Sequence, residues 1–165
     1  MFITAHSSVA VFLGLQVANP VLAFVLGMVS HFVFDIIPHG DRGMVRTRLN
    51  PERRLPEVVD ARERCKFLLI AVVDNLIALA MLVWLSRLLP VTSLPVLLAV
   101  FGAALPDALQ GVTAFTRFRF LDAYTRLHHR IHFLLPRDVS LGWGLILQGA
   151  TLVLFLWLSL QSVAH

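Results

Sequence analysis

Residues 66–89 read KFLLIAVVDNLIALAMLVWLSRLL, and only Asp74 and Asn75 are polar between Lys66 and Ser86. About twenty mostly apolar residues are enough for a helix to cross the hydrocarbon core of a membrane. The rest of the chain has the same character, with 58% hydrophobic residues, 15% charged residues and a mean hydropathy of +0.79. A soluble domain of this length needs far more polar surface. The sequence therefore predicts an integral membrane protein.

Five apolar segments of this kind follow one another along the chain, at about 2–18, 20–37, 66–89, 94–112 and 139–163. Lipid cannot satisfy exposed backbone groups, so each segment is expected to be a helix. Almost nothing separates the first segment from the second, or the third from the fourth, which predicts two helical hairpins. We predict one all-α domain over residues 1–165, a polytopic membrane bundle of about five transmembrane helices.

The second helices of the two hairpins show an internal similarity. Residues 20–27 and residues 95–102 share Pro-Val-Leu at their first three positions, Val at the sixth and Gly at the eighth. Each stretch leads toward an acidic residue, Asp35 in one helix and Asp107 in the other. The pattern is consistent with a duplicated hairpin, and chance agreement among residues common in membrane helices is the alternative.

The basic residues predict the orientation. Five crossings place the N-terminus and the loops 38–65 and 113–138 on one side, and 13 of the 14 lysines and arginines fall there if Lys66 is included. Only Arg87 falls on the other side. The positive-inside rule makes the basic side cytoplasmic, so we expect an inner (plasma) membrane protein. Because these charges lie between apolar runs, the pI near 10.6 does not indicate nucleic acid binding.

The loop 38–65 contains a helix-start signal, with Asn50 as a cap and Pro51 at the first helical position. A short surface helix there would bring arginines to the anionic inner leaflet. An ordinary solvated loop is the alternative. The single cysteine, Cys65, excludes an intramolecular disulfide.

Five ionisable side chains interrupt the apolar segments. Measured along the helices at about 1.5 Å per residue, all five fall in the cytoplasmic half of the membrane, although they come from four helices. Such residues are costly in lipid and usually face the interior of the bundle or water. They predict one buried polar site formed by His6, His31, Asp35, Asp74 and Asp107.

The spacing of His31 and Asp35 places them on one helix face, where they can hold a metal ion or where the carboxylate can orient the imidazole. His39 and Asp41 follow as two further potential ligands at the membrane surface. Pro106 is expected to bend or break its helix and to expose Asp107. Hydrogen bonding between helices is the alternative role for the His31–Asp35 pair.

Residues 128–132 read His-His-Arg-Ile-His. On a helix, His128 and His132 share one face, and paired histidines suit zinc or another transition metal. Arg130 can bind a phosphate or carboxylate with two hydrogen bonds. The alternative is an amphipathic segment at the membrane interface, anchored by neighbouring aromatic residues that include Phe133.

This series of motifs resembles the membrane-bound metal-dependent hydrolase-like proteins of bacteria and archaea. The resemblance spans most of the chain and rests on four motifs, Thr4-Ala5-His6, Ser30-His31-Phe32-Val33-Phe34-Asp35 with Pro38-His39, Leu105-Pro106-Asp107, and His129-Arg130-Ile131-His132. It implies a divalent metal site and hydrolysis of a phosphoester or related bond. A more distant similarity is to zinc-dependent phospholipase C proteins.

We therefore expect a metal-dependent hydrolase that acts on a phospholipid or lipid-linked substrate at the cytoplasmic interface. The expected cofactor is a divalent metal, with zinc first. Asp74 is expected to act as a general base or to orient a ligand, with a structural polar contact as the alternative, and Arg130 is expected to bind substrate charge. The expected metal ligands are His6, His31, Asp35 and Asp107, with His128 or His132 completing the site.

Two other classes of function fit the same residues. In a cation or proton-coupled transporter, the buried carboxylates and imidazoles would bind or relay the ion, with Asp74 deep in its helix. In a non-catalytic membrane scaffold, the polar residues would join helices and the basic loops would dock partners. We expect membrane lipid as a partner and no nucleic acid.

Overall fold

A computed structural model describes residues 1–40, 44–53, 55–116, 118–132, 134–135 and 139–163. Four of the arginines counted for the orientation lie outside the described residues, and so do the potential ligand Asp41, the aromatic anchor Phe133 and the last residue, His165. The chain is mainly helical within the described ranges. They contain the helices α1 (Ile3–Gln16), α2 (Pro20–Asp35), α3 (Ala61–Leu85), α4 (Leu94–Phe115), α5 (Asp122–His132) and α6 (Leu141–Gln161), a 3-10 turn at Arg119–Leu121 and the strands β1 (Thr47–Asn50) and β2 (Leu55–Val58).

Three helices of the described chain are long and apolar enough to cross a membrane, so the prediction of five such helices is wrong. They are Ala61–Leu85, Leu94–Thr113 within α4, and Leu141–Gln161. The helices α1 and α2 have 14 and 16 residues. At 1.5 Å per residue they are about 21 and 24 Å long, less than a hydrocarbon core of about 30 Å. The sequence suggested longer segments because apolar residues continue past the point where each helix ends.

Helix α1 lies inside the bundle, where it packs against α2, α3, α4 and α6. Ten of its 14 residues are buried, including the polar Thr4, His6, Ser7 and Ser8. The Ser8 hydroxyl donates to the Ala5 carbonyl at 2.7 Å, so its burial leaves no unsatisfied donor. An interior helix can therefore bring polar groups to the centre of an otherwise apolar protein.

Helices α2 and α4 pack through small residues at very close range. A Cβ on Gly27 would lie 2.0 Å from the Ala99 carbonyl oxygen, and a Cβ on Gly102 would lie 2.3 Å from that of Phe24. These four positions are the corresponding residues of the two similar stretches, and each glycine contacts the residue three places before the other glycine. Such exchanged contacts are typical of a two-fold relation between the two helices. Small residues let membrane helices approach in this way.

The loop after α2 forms a β-hairpin, so the surface helix predicted from Asn50 is wrong and the fold is not purely α-helical. Strands β1 and β2 are antiparallel, with Asn50 paired to Leu55 at the turn. The Asn50 side chain accepts hydrogen bonds from the backbone nitrogens of Glu52 and Arg53 at 2.9 and 3.0 Å. An Asn side chain that accepts from the following backbone nitrogens can cap a helix or form an Asx turn, and Asn50 forms the turn.

Two ion pairs hold the hairpin in place. Arg53 donates from Nε to both carboxylate oxygens of Asp122 at 3.2 Å, which joins the hairpin to the start of α5. Hydrogen bonding from Arg53 holds the pKa of the Asp122 carboxyl below its usual range. Arg46 donates from Nε to Glu63 Oε1 at 3.1 Å and so joins β1 to the first turn of α3. These ion pairs join the hairpin to the N-terminal ends of α3 and α5.

Helix α4 continues through Pro106, so the helix does not break there. The missing donor of Pro106 affects one hydrogen bond only. The Pro106 carbonyl accepts a hydrogen bond from Tyr124 Oη at 3.0 Å. Asp107 lies on the next position, half-exposed, with 37% of its side chain accessible.

Candidate metal centre

Four acidic and imidazole side chains from three helices meet at the end of α2. The ligand atoms of His31, Asp35, Asp107 and His128 all lie within 4.8 Å of one another. His31, Asp35 and His128 are each at most 1% exposed. Buried histidine and aspartate groups of this kind could hold a metal ion. Of the four apolar segments predicted to converge, those that form α2 and α4 bring their residues to this group, together with His128.

The tautomer of His31 follows from its backbone contact. Its Nδ1 lies 2.9 Å from the Ala103 carbonyl oxygen on α4. A carbonyl can only accept, so Nδ1 carries the hydrogen and the Nε2 of a neutral ring presents its lone pair to the cluster. This is the arrangement commonly found in metal-binding histidines, whose second nitrogen donates to a carbonyl or carboxylate.

The three closest ligand atoms form an almost regular triangle. Asp35 Oδ2 lies 3.2 Å from the Nε2 atoms of both His31 and His128, and those nitrogens are 3.3 Å apart. Ligands about 2.0 Å from a tetrahedral ion lie about 3.3 Å from one another. If both rings are neutral, at most one of the two Nε2 atoms carries a hydrogen, and that hydrogen can form only one of the three contacts. A cation satisfies all three, so the donor set and its spacing fit a metal ion.

Asp107 completes this group on its open side. Its Oδ1 is 3.7 Å from His31 Nε2 and 4.0 Å from His128 Nε2, farther than the other ligand distances. Asp107 also lines a cavity of about 720 Å³, whereas His31, Asp35 and His128 do not. It is therefore the member of the group that faces a ligand-sized space.

His6 contacts these side chains but lies outside the group of four potential ligands. Its Nε2 lies 3.1 Å from Asp35 Oδ1, whereas His31 and His128 contact the other oxygen, Oδ2. Its ring stacks on that of His31, with centroids 4.2 Å apart. The structure thus places His6 where it orients Asp35 and His31.

His132 belongs to a second group, formed with Asp35 and His39. Because His132 follows His128 by one helical turn, α5 contributes one imidazole to each group. His39 donates from Nδ1 to the Ile37 carbonyl at 2.7 Å, which directs its Nε2 away from its own loop. The α-amino group of Met1 lies 2.7 Å from Asp35 Oδ1 and 2.6 Å from His39 Nε2.

The structure places Asp74 at the N-terminal end of α1. Its carboxylate accepts hydrogen bonds from the backbone nitrogens of Ile3 and Thr4, at 2.5 and 3.3 Å, and from the Thr4 hydroxyl at 2.6 Å. A carboxylate at this position satisfies backbone donors of the first turn and interacts favourably with the helix dipole. Asp74 on α3 therefore caps the first turn of α1. It lies outside both groups of potential ligands.

Arg130 is exposed on α5. It lies two residues after His128, about 200° around the helix, and so on the face away from the cluster. Nothing in the described contacts brings it to the four-residue group. Its expected role in binding substrate charge stays a prediction.

The cavity lies between the start of α3, the end of α4 and the β-hairpin. Its walls are mainly apolar, and polar groups from both ligand groups reach it, namely Asp107, His39 and His132. A volume of about 720 Å³ is in the range of small-molecule sites, which are typically apolar with a few placed polar groups. The space is large enough for a small molecule with a mainly apolar body and a polar end near Asp107.

Gln148 is a site residue that the sequence prediction missed. Its Oε1 accepts from the Phe2 backbone at 2.7 Å and its Nε2 donates to the His39 carbonyl at 3.0 Å. It therefore fixes the start of the chain and the His39 loop against α6. One signal was visible, since Gln148 is the one amide in the apolar run 141–158.

No family model, curated protein or solved structure matches this chain, so the family resemblance stays a prediction from its motifs.

Proposed function

We propose that this protein is a metal-dependent hydrolase of the phosphoester bond of a phospholipid or lipid-linked substrate, and a member of the hydrolase-like family its motifs resemble. The observation that carries the proposal is the triangle of His31, Asp35 and His128 ligand atoms beside the cavity. Zinc is the first candidate because two imidazole nitrogens with carboxylate oxygens are common zinc ligands. A bound divalent ion would lower the pKa of a water molecule and polarise a phosphoryl oxygen.

The chain's own groups divide the remaining work. His31, His128 and Asp35 would hold the ion, and Ala103 fixes the His31 ring through its carbonyl. Asp107 lies at the boundary with the cavity, where its carboxylate can bind the ion and accept a proton from attacking water. His6 contacts the other oxygen of Asp35, Oδ1, and so orients the carboxylate. Burial of this cluster excludes bulk water from all but the Asp107 side.

The cavity supports a lipid as the substrate class. The side chains that α3 and α4 contribute are mostly apolar, including Phe67, Leu68, Ile70 and Ala104. Both helices are candidate membrane spans, so an acyl or isoprenoid chain can lie along them while its phosphate meets Asp107. Arg53 is the one lysine or arginine among the described lining residues and is paired with Asp122, so these walls offer little positive charge to a free sugar phosphate or nucleotide.

The proposal is tested with the purified full chain in detergent. We expect bound divalent metal by elemental analysis, and metal-dependent hydrolysis of bis(p-nitrophenyl) phosphate and of one or more diacyl phospholipids. Asp35→Asn and His31→Gln are expected to lose the metal and to reduce hydrolysis about 100-fold or more. The exposed Glu52→Gln is the matched control, because it makes the same carboxylate-to-amide change in the hairpin turn.

Metal-free protein from native membranes, or hydrolysis unchanged in Asp35→Asn, would contradict the proposal. Metal-dependent flux in liposomes without hydrolysis would favour a transporter instead. Unchanged cellular function in both variants would favour a scaffold. The outcomes separate the three classes because each predicts a different measurement.

A further inference from the structure

We infer that this chain binds two divalent cations and that the Asp35 carboxylate bridges them. The two groups of potential ligands have only Asp35 in common: one adds His31, Asp107 and His128, and the other adds His39 and His132. The binding of two cations stands on this geometry, and their joint action on a phosphoester rests on the proposed function.

The two oxygens of Asp35 face different neighbours. Oδ2 lies 3.2 Å from the Nε2 atoms of His31 and His128. Oδ1 lies 3.1 Å from His6 Nε2 and 2.7 Å from the α-amino group of Met1. A carboxylate divided in this way can ligate one cation with each oxygen, and bridged ions in two-metal sites are about 3.5–4 Å apart.

The second position is built from rigid parts. His39 is 3% exposed, its Nδ1 is bonded to the Ile37 carbonyl, and its own carbonyl accepts from Gln148 on α6. A Cβ on Gly144 would lie 2.0 Å from that same His39 carbonyl oxygen, so α6 needs glycine there to approach the loop. The rings of His39 and His132 lie 4.6 Å apart at 65°. Ligand orientation of this kind is fixed before any ion binds.

An amino group already lies at this position. The α-amino group of Met1 bridges Asp35 Oδ1 and His39 Nε2, at 2.7 and 2.6 Å. Protonated, this group supplies a positive charge at the position; deprotonated, it supplies a nitrogen ligand. A second cation would replace that charge or use the amine as a further ligand. Either arrangement places positive charge on both sides of Asp35.

The test measures metal rather than activity. Metal-stripped full-length protein in detergent is equilibrated with Zn²⁺ alone or Mn²⁺ alone, and bound ions are counted by elemental analysis. We expect two ions per wild-type chain, one in His132→Gln and one in His39→Asn. His129→Gln is the matched control, since it changes the neighbouring histidine of α5, which is in neither group, and should keep two.

Electron paramagnetic resonance of the Mn²⁺-loaded wild type decides the question without any variant. Two manganese ions bridged by one carboxylate give an exchange-coupled spectrum, and a single ion gives six isolated lines. One ion in the wild type, or two ions kept by His132→Gln and His39→Asn, would overturn the inference. If one ion is found and phosphoester hydrolysis persists, the second cation fails and the proposed function stands; if no ion binds, both fail.

Discussion

Removing the Asp74 carboxylate should destabilise the fold. Loss of a helix N-cap costs up to about 2 kcal/mol, because backbone donors lose their acceptor. The Thr4 hydroxyl also loses its 2.6 Å bond to Asp74, which adds about 1 kcal/mol. Asp74→Ala should therefore reduce the free energy of unfolding by up to about 3 kcal/mol. For a chain of this length that is a decrease in Tm of roughly 6–12 °C.

The assay is thermal unfolding in detergent, followed by the fluorescence of the three tryptophans. Asp74→Asn should lose less, because its amide oxygen still accepts hydrogen bonds without the charge. Thr4→Val combined with Asp74→Ala should be non-additive, since both changes remove the same bond. Asn75→Ala is the control; its side chain is exposed and bonds only to the Ala71 carbonyl among the described contacts. An unchanged Tm in Asp74→Ala with hydrolysis abolished would refute the cap and restore the general-base role.

Three further predictions test the fold and its placement. Gly27→Val should fail to fold or lose several degrees of Tm, because its Cβ would lie 2.0 Å from the Ala99 carbonyl oxygen, whereas Gly149→Ala, with open space around it, should be neutral or slightly stabilising. Because the pKa of Asp122 is lowered in the folded state, its ionised carboxylate stabilises the fold at any pH above the unfolded value of about 3.9, and this stabilisation is lost as the pH falls through the folded pKa. The Tm advantage of wild type over Asp122→Asn should therefore be constant from pH 8 to 5 and shrink below about pH 4. A membrane-impermeant maleimide should label the single exposed cysteine, Cys65, in inverted vesicles and not in right-side-out vesicles, and the opposite pattern would reverse the proposed orientation.

The position of the polar site could be predicted because buried charge is so costly in an apolar segment. His31, Asp35 and Asp107 stood out against their neighbours, and the structure brings them together with His128. His128 and His132 could share a face only if their segment were helical, and the structure shows that it is, as α5. What spacing alone could not give is that these two imidazoles belong to different groups.

The errors have identifiable physical causes. Hydropathy does not record where a helix ends, so α1 and α2 were predicted to be longer than they are. The Asn50 side chain accepts from the following backbone nitrogens in a helix cap and in an Asx turn alike, so local sequence could not separate the two. The role of Asp74 depends on the position of α1, a contact between residues 70 apart in the chain.

The predicted orientation is compatible with the change in helix count for a simple topological reason. Helices α1 and α2 form a hairpin, and a hairpin adds an even number of crossings whether or not it spans the bilayer. In either case the predicted topology keeps the loop 38–65 on the same side as the residues before α1. The charge bias continues to favour the cytoplasm for that side, which Cys65 labelling can test.

The cap on α1 has a consequence for biosynthesis. Helix α1 leaves the ribosome before α3 and α5, yet the carboxylate that satisfies its first turn arrives only with α3, and the imidazole of His128 only with α5. Until then the nascent hairpin holds an incomplete set of the potential ligands. If the proposed metal binds, its loading would be a late event, after most of these helices have been inserted and docked.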